Sequence, residues 1–444
     1  MIKDKKILVV GLGKEGVSAL KFLSADNEVV IYDDKNESEI EADFTSKIPA
    51  NGKKYLGQMP DESFDLIVRS PGVKLDHLII QKYPDAEITS VTKIFFDLCP
   101  ALIIGVTGTK GKGTTSTLIY EILKKSGKDV YLGGNIGKSP LDFLSEVNAE
   151  SLVVLEMSSF QLLDLQKSPH IGVVLMVTSE HLNWHKDEED YVSAKSAIVA
   201  HQNASDFAVV NADYPNSKKI GEKAGGKVLF FSIQNKDRES FLGGDKIISG
   251  GEEVANISDV LLAGRHNLQN VLAAVTVAKI LHVTNEDIVS TLQTFKGLEH
   301  RLELVSEISG VRYYDDSFST TPETTIAAIE AFNEPKTLIL GGSSKNSDFT
   351  ELANIIHAST SIKAIILIGE EGQVIKSAIE KAGGTNAKLI EDASDMPSII
   401  KAAAEAAESG DVVMLSPACA SFGMFKNYID RGNRFKEEVK KLTN

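Results

Sequence analysis

The stretch Leu102-Ile103-Ile104-Gly105-Val106-Thr107-Gly108-Thr109-Lys110-Gly111-Lys112-Gly113-Thr114 decides how the chain is read. It begins as an apolar run of strand length, becomes a glycine-rich turn, and leads into a helical pattern over Thr114–Lys125. Strand, turn and helix in that order aim free backbone N–H groups at one point, where a phosphate binds. Lys112 stands where its ammonium neutralises a phosphate in transfer. The spacing is not that of the standard P-loop, which needs a glycine where Val106 stands and a hydroxyl residue in place of Gly113. The bland alternative is a turn that only caps a helix; the lysine inside the turn and the strand before it favour phosphate. Gly127 falls just past the helix, at the place of a left-handed cap.

Outward from this stretch, short apolar runs alternate with helical patterns. Strands are expected at Lys6–Val10, Glu28–Tyr32, Leu66–Arg69, Leu102–Thr107, Leu152–Glu156, Gly172–Val177, Phe207–Val210, Thr337–Leu340, Ala364–Ile368 and Val412–Leu415. A further helix is expected at Asn267–Leu281. Such alternation means α/β architecture, with parallel sheets covered by helices on both faces. A length of 444 residues exceeds one ordinary core, and three blocks are expected: 1–93, 94–297 and 298–444. The third opens on a hairpin, Arg301–Glu307 and Val311–Tyr314 around Ser309-Gly310. The glycine-rich, poorly periodic segment Ser232–Ser258 reads as loops or irregular strands.

Composition removes several classes of function. The net charge is −15 and no basic stretch interleaves with aromatics, so nucleic acid is not an expected partner. Two cysteines, Cys99 and Cys419, fit a reducing compartment, and no apolar run reaches the roughly 18 residues of a membrane span, so a cytoplasmic protein is expected.

Four more motifs carry chemistry. Glu156 ends an apolar strand in Leu155-Glu156-Met157-Ser158-Ser159-Phe160-Gln161, where a carboxylate suits Mg²⁺ or caps a helix. The run Val177-Thr178-Ser179-Glu180-His181-Leu182-Asn183-Trp184-His185, followed by Tyr191 and Lys195, has metal or phosphate character. Gly11-Leu12-Gly13-Lys14-Glu15-Gly16 follows a strand, and Asp33-Asp34 ends the next one; this fingerprint fits NAD, a flavin or another diphosphate-bearing nucleotide. In the last block, Tyr314–Pro322, Gly341–Lys345 and Ser416–Phe422 each follow an apolar run and are rich in hydroxyls, as a binding rim is.

Together these residues resemble the Mur ligases along almost the whole chain. The most specific matches are the Gly108–Lys112 loop, Glu156–Leu162, Gly133-Gly134-Asn135-Ile136-Gly137, Gly264-Arg265-His266-Asn267 with Asn270, Gly297–Arg301, and Ser416–Ser421 leading to Tyr428 and Arg431-Gly432. The resemblance implies a Rossmann-like N-terminal domain that binds UDP, a central P-loop-like ATPase domain and a C-terminal Rossmann-like domain that binds an amino acid. It implies an ATP-dependent ligase that joins glutamate, expected as the D isomer, to UDP-N-acetylmuramoyl-L-alanine through an acyl phosphate, in peptidoglycan synthesis. A monomer is expected.

The resemblance also assigns residues. Gly108, Thr109, Lys110, Gly111, Lys112, Gly113 and Thr114 would hold the ATP phosphates, and Asn267, Asn270, Arg301 and Asp316 the adenosine. Glu156 would bind one Mg²⁺, with Thr114 supplying the hydroxyl that Gly113 lacks. His181 and Lys195 would bind a second, Lys195 as a carbamate. Lys112, His181 and Lys195 would be catalytic. Gly13, Lys14, Glu15, Asp34, Lys35 and Gly72 would hold the uridine diphosphate and Asn135 the sugar-peptide end. Thr320, Lys345, Ser421 and Tyr428 would surround glutamate. Two departures lie in the last block: Phe318 stands where well-known members have lysine, and no aspartate follows Gly341-Gly342. The rivals are another Mur-type or folylpolyglutamate-type ligase, an NAD-dependent dehydrogenase, and a nucleotide-binding regulator without turnover. A dehydrogenase leaves the Lys112 loop unexplained.

Overall fold

The computed structural model describes every residue except 1, 41, 49–51, 182, 183, 263, 345, 346, 443 and 444. Its strands form three sheets. The first contains β1 (Lys6–Val10), β2 (Glu28–Asp33), β3 (Lys53–Leu56), β4 (Leu66–Arg69) and β5 (Glu87–Thr89), in the order β3-β2-β1-β4-β5, all parallel. A parallel strand between helical layers is buried on both faces. Accordingly Ile7 and Val9 join one apolar cluster while Leu8 and Val10 join another on the opposite face.

The second sheet contains β6 (Leu102–Thr107), β7 (Val130–Gly134), β8 (Leu152–Glu156), β9 (Ile171–Val174), β10 (Phe207–Asn211), β11 (Lys227–Ser232), β12 (Ser240–Gly243), β13 (Lys246–Ser249) and β14 (Glu252–Asn256). Their order is β14-β13-β12-β11-β10-β9-β6-β8-β7, so β6 sits between β9 and β8 and carries the phosphate-loop stretch at its carboxyl end. Ser232–Ser258, expected as loops or irregular strands, contains three short strands, with antiparallel pairing of β12 to β13 and of β13 to β14 and a register shift at Ile247–Ile248. The glycines supply two tight turns: Gly244, Gly250 and Gly251 all have positive φ, which two-residue hairpin loops require. The apolar period is hidden because Ser240 bonds both Ser249 and Thr276 at 2.7 Å in the interior.

The third sheet contains β15 (Glu303–Ile308), β16 (Val311–Asp315), β17 (Lys336–Gly341), β18 (Ile362–Ile368), β19 (Lys388–Ile390) and β20 (Val412–Leu415), ordered β15-β16-β20-β17-β18-β19. β15 and β16 form the expected antiparallel hairpin, and the remaining pairs are parallel. Alternate residues of β17 divide between two apolar clusters, Leu338 and Leu340 on one face and Ile339 on the other. The chain forms two units: Met1–Asp259 with Gln269–Gln293 carries the first two sheets, and Val260–Leu268 with Thr294–Asn444 carries the third.

In the first sheet the strand order reverses between β1 and β4, which opens a crevice beyond their carboxyl ends. The loops after those strands meet there, with Ser70 Oγ donating to the Gly11 carbonyl at 3.0 Å. The glycines of the fingerprint divide by cause. A Cβ at Gly16 would lie 2.0 Å from the Gly11 carbonyl oxygen, whereas one at Gly13 would meet nothing within 4 Å. Gly16→Ala is therefore expected to destabilise the protein by about 1–3 kcal/mol through overpacking. Gly13→Ala should leave the unfolding free energy, measured by urea titration, within about 0.5 kcal/mol of the parent. Equal midpoints for both variants would contradict this division.

Candidate active site

At the end of β6 the backbone turns sharply into the helix Lys112–Lys125, with Gly111 as its left-handed N-cap at φ +86°. A Cβ on Gly111 would lie 2.2 Å from Asn270 Oδ1, so positive φ and close approach both demand glycine here. The loop is held from below: Thr109 N–H donates to the Met176 carbonyl at 2.7 Å, and Thr109 Oγ1 bonds Thr178 O at 2.9 Å and the Tyr191 hydroxyl at 3.1 Å. Lys112 Nζ folds back onto the carbonyls of Gly108 and Thr109, both at 3.1 Å. Lys110 is exposed and pairs with Glu180 at 3.1 Å, while Gly113 and Thr114 are buried in the first helical turn.

Lys195 comes up from the helix Glu188–Ala200 and is 1% exposed. Its Nζ donates to Gly108 O at 3.0 Å and to Thr107 Oγ1 at 3.3 Å, above the Tyr191 ring at 4.6 Å. Among the described residues no carboxylate lies within ion-pair distance of it. Burial, reinforced by the charge of Lys112, pushes its pKa well below the ordinary lysine value. His181 lies in the left-handed region at φ +58°, and burial, with Lys112 and Lys195 adding to it, lowers its pKa against the pull of Glu180. The two histidines of this run differ. His181 is largely exposed, whereas His185 is buried and committed, with Nδ1 on Asp190 at 2.9 Å and Nε2 on Ser159 at 3.0 Å.

Glu156 closes β8 beside the loop and is buried, accepting from Asn135 Nδ2 at 2.8 Å. The Gly133–Gly137 run thus delivers Asn135 to Glu156. A hard, buried carboxylate oxygen at this position fits Mg²⁺, which takes oxygen ligands. Two residues on, Ser158 and Gln161 form a capping box, and Gln161 Nε2 reaches Glu15 Oε1 in the first block at 2.6 Å. Burial raises the Glu15 pKa. Glu15, expected at the uridine diphosphate, is therefore already engaged with the second sheet.

In the first crevice the acidic pair also divides. Asp33 is structural, accepting from Leu12 N at 2.8 Å and Lys35 N at 3.0 Å. Asp34 is exposed, bonds the Tyr32 hydroxyl and pairs with His77 at 2.8 Å. Lys14, Lys35 and Gly72 are exposed, and a Cβ at Gly72 would meet nothing within 4 Å.

In the third-sheet unit the loops after β16, β17 and β20 converge, with Ser343 N donating to Ala420 O at 2.9 Å. Asp316, expected at adenosine, is buried with both oxygens engaged: Oδ1 accepts from Leu302 N at 3.1 Å and Oδ2 from Ser416 Oγ at 2.7 Å. Burial raises its pKa to about 6. Arg301 lies over the exposed Phe318 ring at 4.9 Å, and Phe318 meets Tyr428 edge-on at 5.2 Å. Ser421 is buried, Thr320 and Tyr428 are half-buried, Asn267 is buried at the start of its helix, and Lys345 lies outside the described residues. Arg431, matched in the sequence without a role, is fully buried. It donates to Ser317 Oγ and O at 2.9 Å and to the Cys419 carbonyl at 3.2 Å, which ties two rim loops together.

Sequence profiles match in chain order: a MurD-like Mur ligase N-terminal domain over residues 5–92, the Mur ligase middle domain over 106–278 and the Mur ligase glutamate ligase domain over 300–419. The UDP-N-acetylmuramoylalanine–D-glutamate ligase of Clostridium tetani is 37% identical across 99% of this chain and 98% of its own length. That of Clostridium kluyveri is 39% identical across 99% and 97%. The chain belongs to the Mur ligase family. The fold of this Mur ligase is shared by the UDP-N-acetylmuramate–alanine ligase of Thermotoga maritima, with TM-score 0.60 and 19% identity over 98% and 99% of the two chains. It is shared as well by the MurF ligase of that organism in complex with ADP, with TM-score 0.58 and 20% identity over 99% and 96%. Sequence reading placed Asn135 at the sugar-peptide end and gave Arg69 and Gln161 no role; it missed the ties from Asn135 to Glu156, Gln161 to Glu15 and Arg69 to Asp164, because each joins distant stretches of chain.

The lowered Lys195 pKa has a consequence for stability. The unfolded chain binds the proton more tightly than the folded one, so stability rises with pH between the folded value and the ordinary 10.5. Lys195→Met is expected to stabilise the fold near neutral pH and to lose that gain as pH approaches 10.5. Chemical denaturation in CO₂-free buffer at neutral and alkaline pH checks it; a gain that grows with pH contradicts burial as the cause.

Proposed function

We propose that this Mur ligase couples UDP-N-acetylmuramoyl-L-alanine to D-glutamate at the expense of ATP, in the cytoplasm, as a step of peptidoglycan precursor synthesis. The observation that carries this is the gathering of Lys112, Lys195, His181 and Glu156 around the Gly108–Thr114 loop. Full-length relatives named for that reaction support the choice of substrates. Residues 1–93 would bind the uridine nucleotide, 94–297 ATP, and 298–444 glutamate with Thr320, Lys345, Ser421 and Tyr428.

In this reading the alanyl carboxylate oxygen attacks the γ-phosphorus of ATP and ADP leaves. The glutamate amine then attacks the acyl carbon, the C–O bond to phosphate breaks, and the amine proton passes to a base, either His181 or a carboxylate. Lys112 leaves its two carbonyls for the γ-phosphate oxygens, and the loop N–H groups hold the remaining phosphates. Mur ligases use ATP and Mg²⁺; Glu156, His181 and Thr114 are the proposed ligands, and magnesium when bound offsets charge on the phosphate oxygens. Lys195 would serve as a carbamate: its neutral amine adds to CO₂, loses a proton and becomes a carboxylate. Burial without a carboxylate partner supports this. Asn267, Asn270 and Arg301 would hold adenosine. Asp316 would act by fixing Leu302 and Ser416.

Phosphate release is expected only when ATP, UDP-N-acetylmuramoyl-L-alanine and D-glutamate are all present, and not with L-glutamate. Release with either substrate omitted, or with L-glutamate alone among the isomers, would refute the assignment. Lys112→Ala should abolish ligation while the protein remains folded. Acetate or formate should partly restore activity to Lys195→Ala; rescue by small amines instead would refute the carbamate.

A further inference from the structure

The largest side chain buried in the first unit is an arginine that the chemistry above does not use. Arg69 is the last residue of β4 and is 0% exposed. Its Nη1 donates to the carbonyls of Val73 at 2.7 Å and Pro71 at 3.1 Å, with a longer contact to Ser70 at 3.4 Å. Its Nη2 crosses to the second-sheet block, to Asp164 Oδ1 at 2.9 Å and Phe160 O at 3.4 Å. One guanidinium therefore gathers the carbonyls of the loop after β4 and fastens that loop to the segment following Glu156. A planar fork serves both groups at once, which a single ammonium does not.

A second tie lies beside it. Trp184, the one tryptophan of the chain, donates Nε1–H to the Gly72 carbonyl at 3.2 Å and lies under the Lys74 ammonium at 5.5 Å. Its ring packs on Phe160 at 4.6 Å, and Phe160 also meets His181 at 5.0 Å. The loop Ser70–Lys74 is thus held between Arg69 and Trp184, and both contacts end on Phe160.

We infer that Arg69, through Asp164 and Phe160, is a positioning residue that holds the Ser70–Lys74 loop in the conformation that receives the uridine nucleotide, with Trp184 as the loop's second anchor. This rests on the proposal that residues 1–93, Gly72 of this loop among them, bind that nucleotide. Burying an arginine is costly unless its donors are engaged, and here both terminal nitrogens are engaged, Nη1 on one loop and Nη2 on one neighbouring segment, while the buried Nε has no partner. Removing the fork frees the loop carbonyls and leaves Asp164 with Lys93 at 3.5 Å.

The test uses the full chain with UDP as probe. In the wild type UDP should bind by calorimetry and change Trp184 emission saturably. In Arg69→Lys the affinity for UDP and the KM for the UDP-linked substrate should worsen about tenfold or more, the scale of a lost charge-assisted contact. Turnover and the KM for ATP should stay within about twofold, and the emission change should shrink even at saturating UDP. Asp164→Asn should shift the same constants in the same direction more weakly, and it decides the matter if Arg69→Lys does not fold. Wild-type protein that ignores UDP overturns the nucleotide reading and this inference with it. Normal UDP affinity and normal emission change in folded variants overturn this inference alone. So does a parallel loss of every constant together with a lowered melting temperature, which marks a merely structural arginine.

Discussion

Two ammonium groups lean on one carbonyl. Lys112 and Lys195 both donate to the oxygen of Gly108, at 3.1 and 3.0 Å. Like charges that close repel, and in a buried place the repulsion is little screened. The loop pays for this arrangement with the rest of its architecture: Thr109 is fastened at its N–H and its hydroxyl, Gly111 is pressed against Asn270, and Glu156 and Glu180 supply the opposing field. Such a site is resolved by negative charge. In the proposed function a bound triphosphate would draw Lys112 off the carbonyl, and loss of a proton from Lys195 would remove the second charge. The demand for anions proposed at Gly108 is local. It coexists with a chain of net charge −15 because backbone donors and two lysines set the field there.

The same economy of partners separates structural from available groups elsewhere. His185 and Asp33 have their polar atoms engaged by surrounding groups, while their sequence neighbours His181 and Asp34 are exposed. Adjacent residues of similar type therefore do different work, and burial and hydrogen bonds tell them apart where residue type does not.

Much of this was legible in the sequence because it is local. Strands β1, β4, β6, β8 and β20 declare themselves by apolar runs, and the loop between β6 and its helix declares itself by glycines, lysine and position. The hairpin of β15 and β16 follows from Ser309-Gly310, both of which take positive φ. The strands β12–β14 were legible only as loops or irregular strands for a physical reason: hydrogen-bonded hydroxyls, Ser240 and Ser249, share their buried face with Ile247 and Val254, and a pattern search weighs apolar side chains. Yet their turns were written out as Gly244-Asp245 and Gly250-Gly251, two-residue loops of the kind that closes hairpins. The candidate site was legible as residue types at strand ends. Its connections were not, because Glu15 to Gln161, Asn135 to Glu156 and Arg69 to Asp164 join positions far apart in the chain.

These long connections join the strand-end motifs of the first two sheets. The crevice proposed for a nucleotide at β1 and β4 and the loop proposed for phosphate at β6 would be separate solutions to anion binding, each on its own sheet. Between them run the end of β8 and the short segment after it, where Glu156 stands beside the Gly108–Thr114 loop, Phe160 meets His181 and Trp184, Gln161 takes Glu15, and Asp164 takes Arg69. Successive residues of one helical turn point in different directions, so a single turn serves several neighbours at once. The helix Ser159–Leu162 is only one turn long, and its capping box satisfies it locally without a long apolar stripe. A longer helix would present a repeating face to one partner. One capped turn instead divides its side chains: Ser159 bonds His185, Phe160 packs on His181 and Trp184, and Gln161 takes Glu15 in the helix after β1, while Asp164, just beyond the turn, takes Arg69.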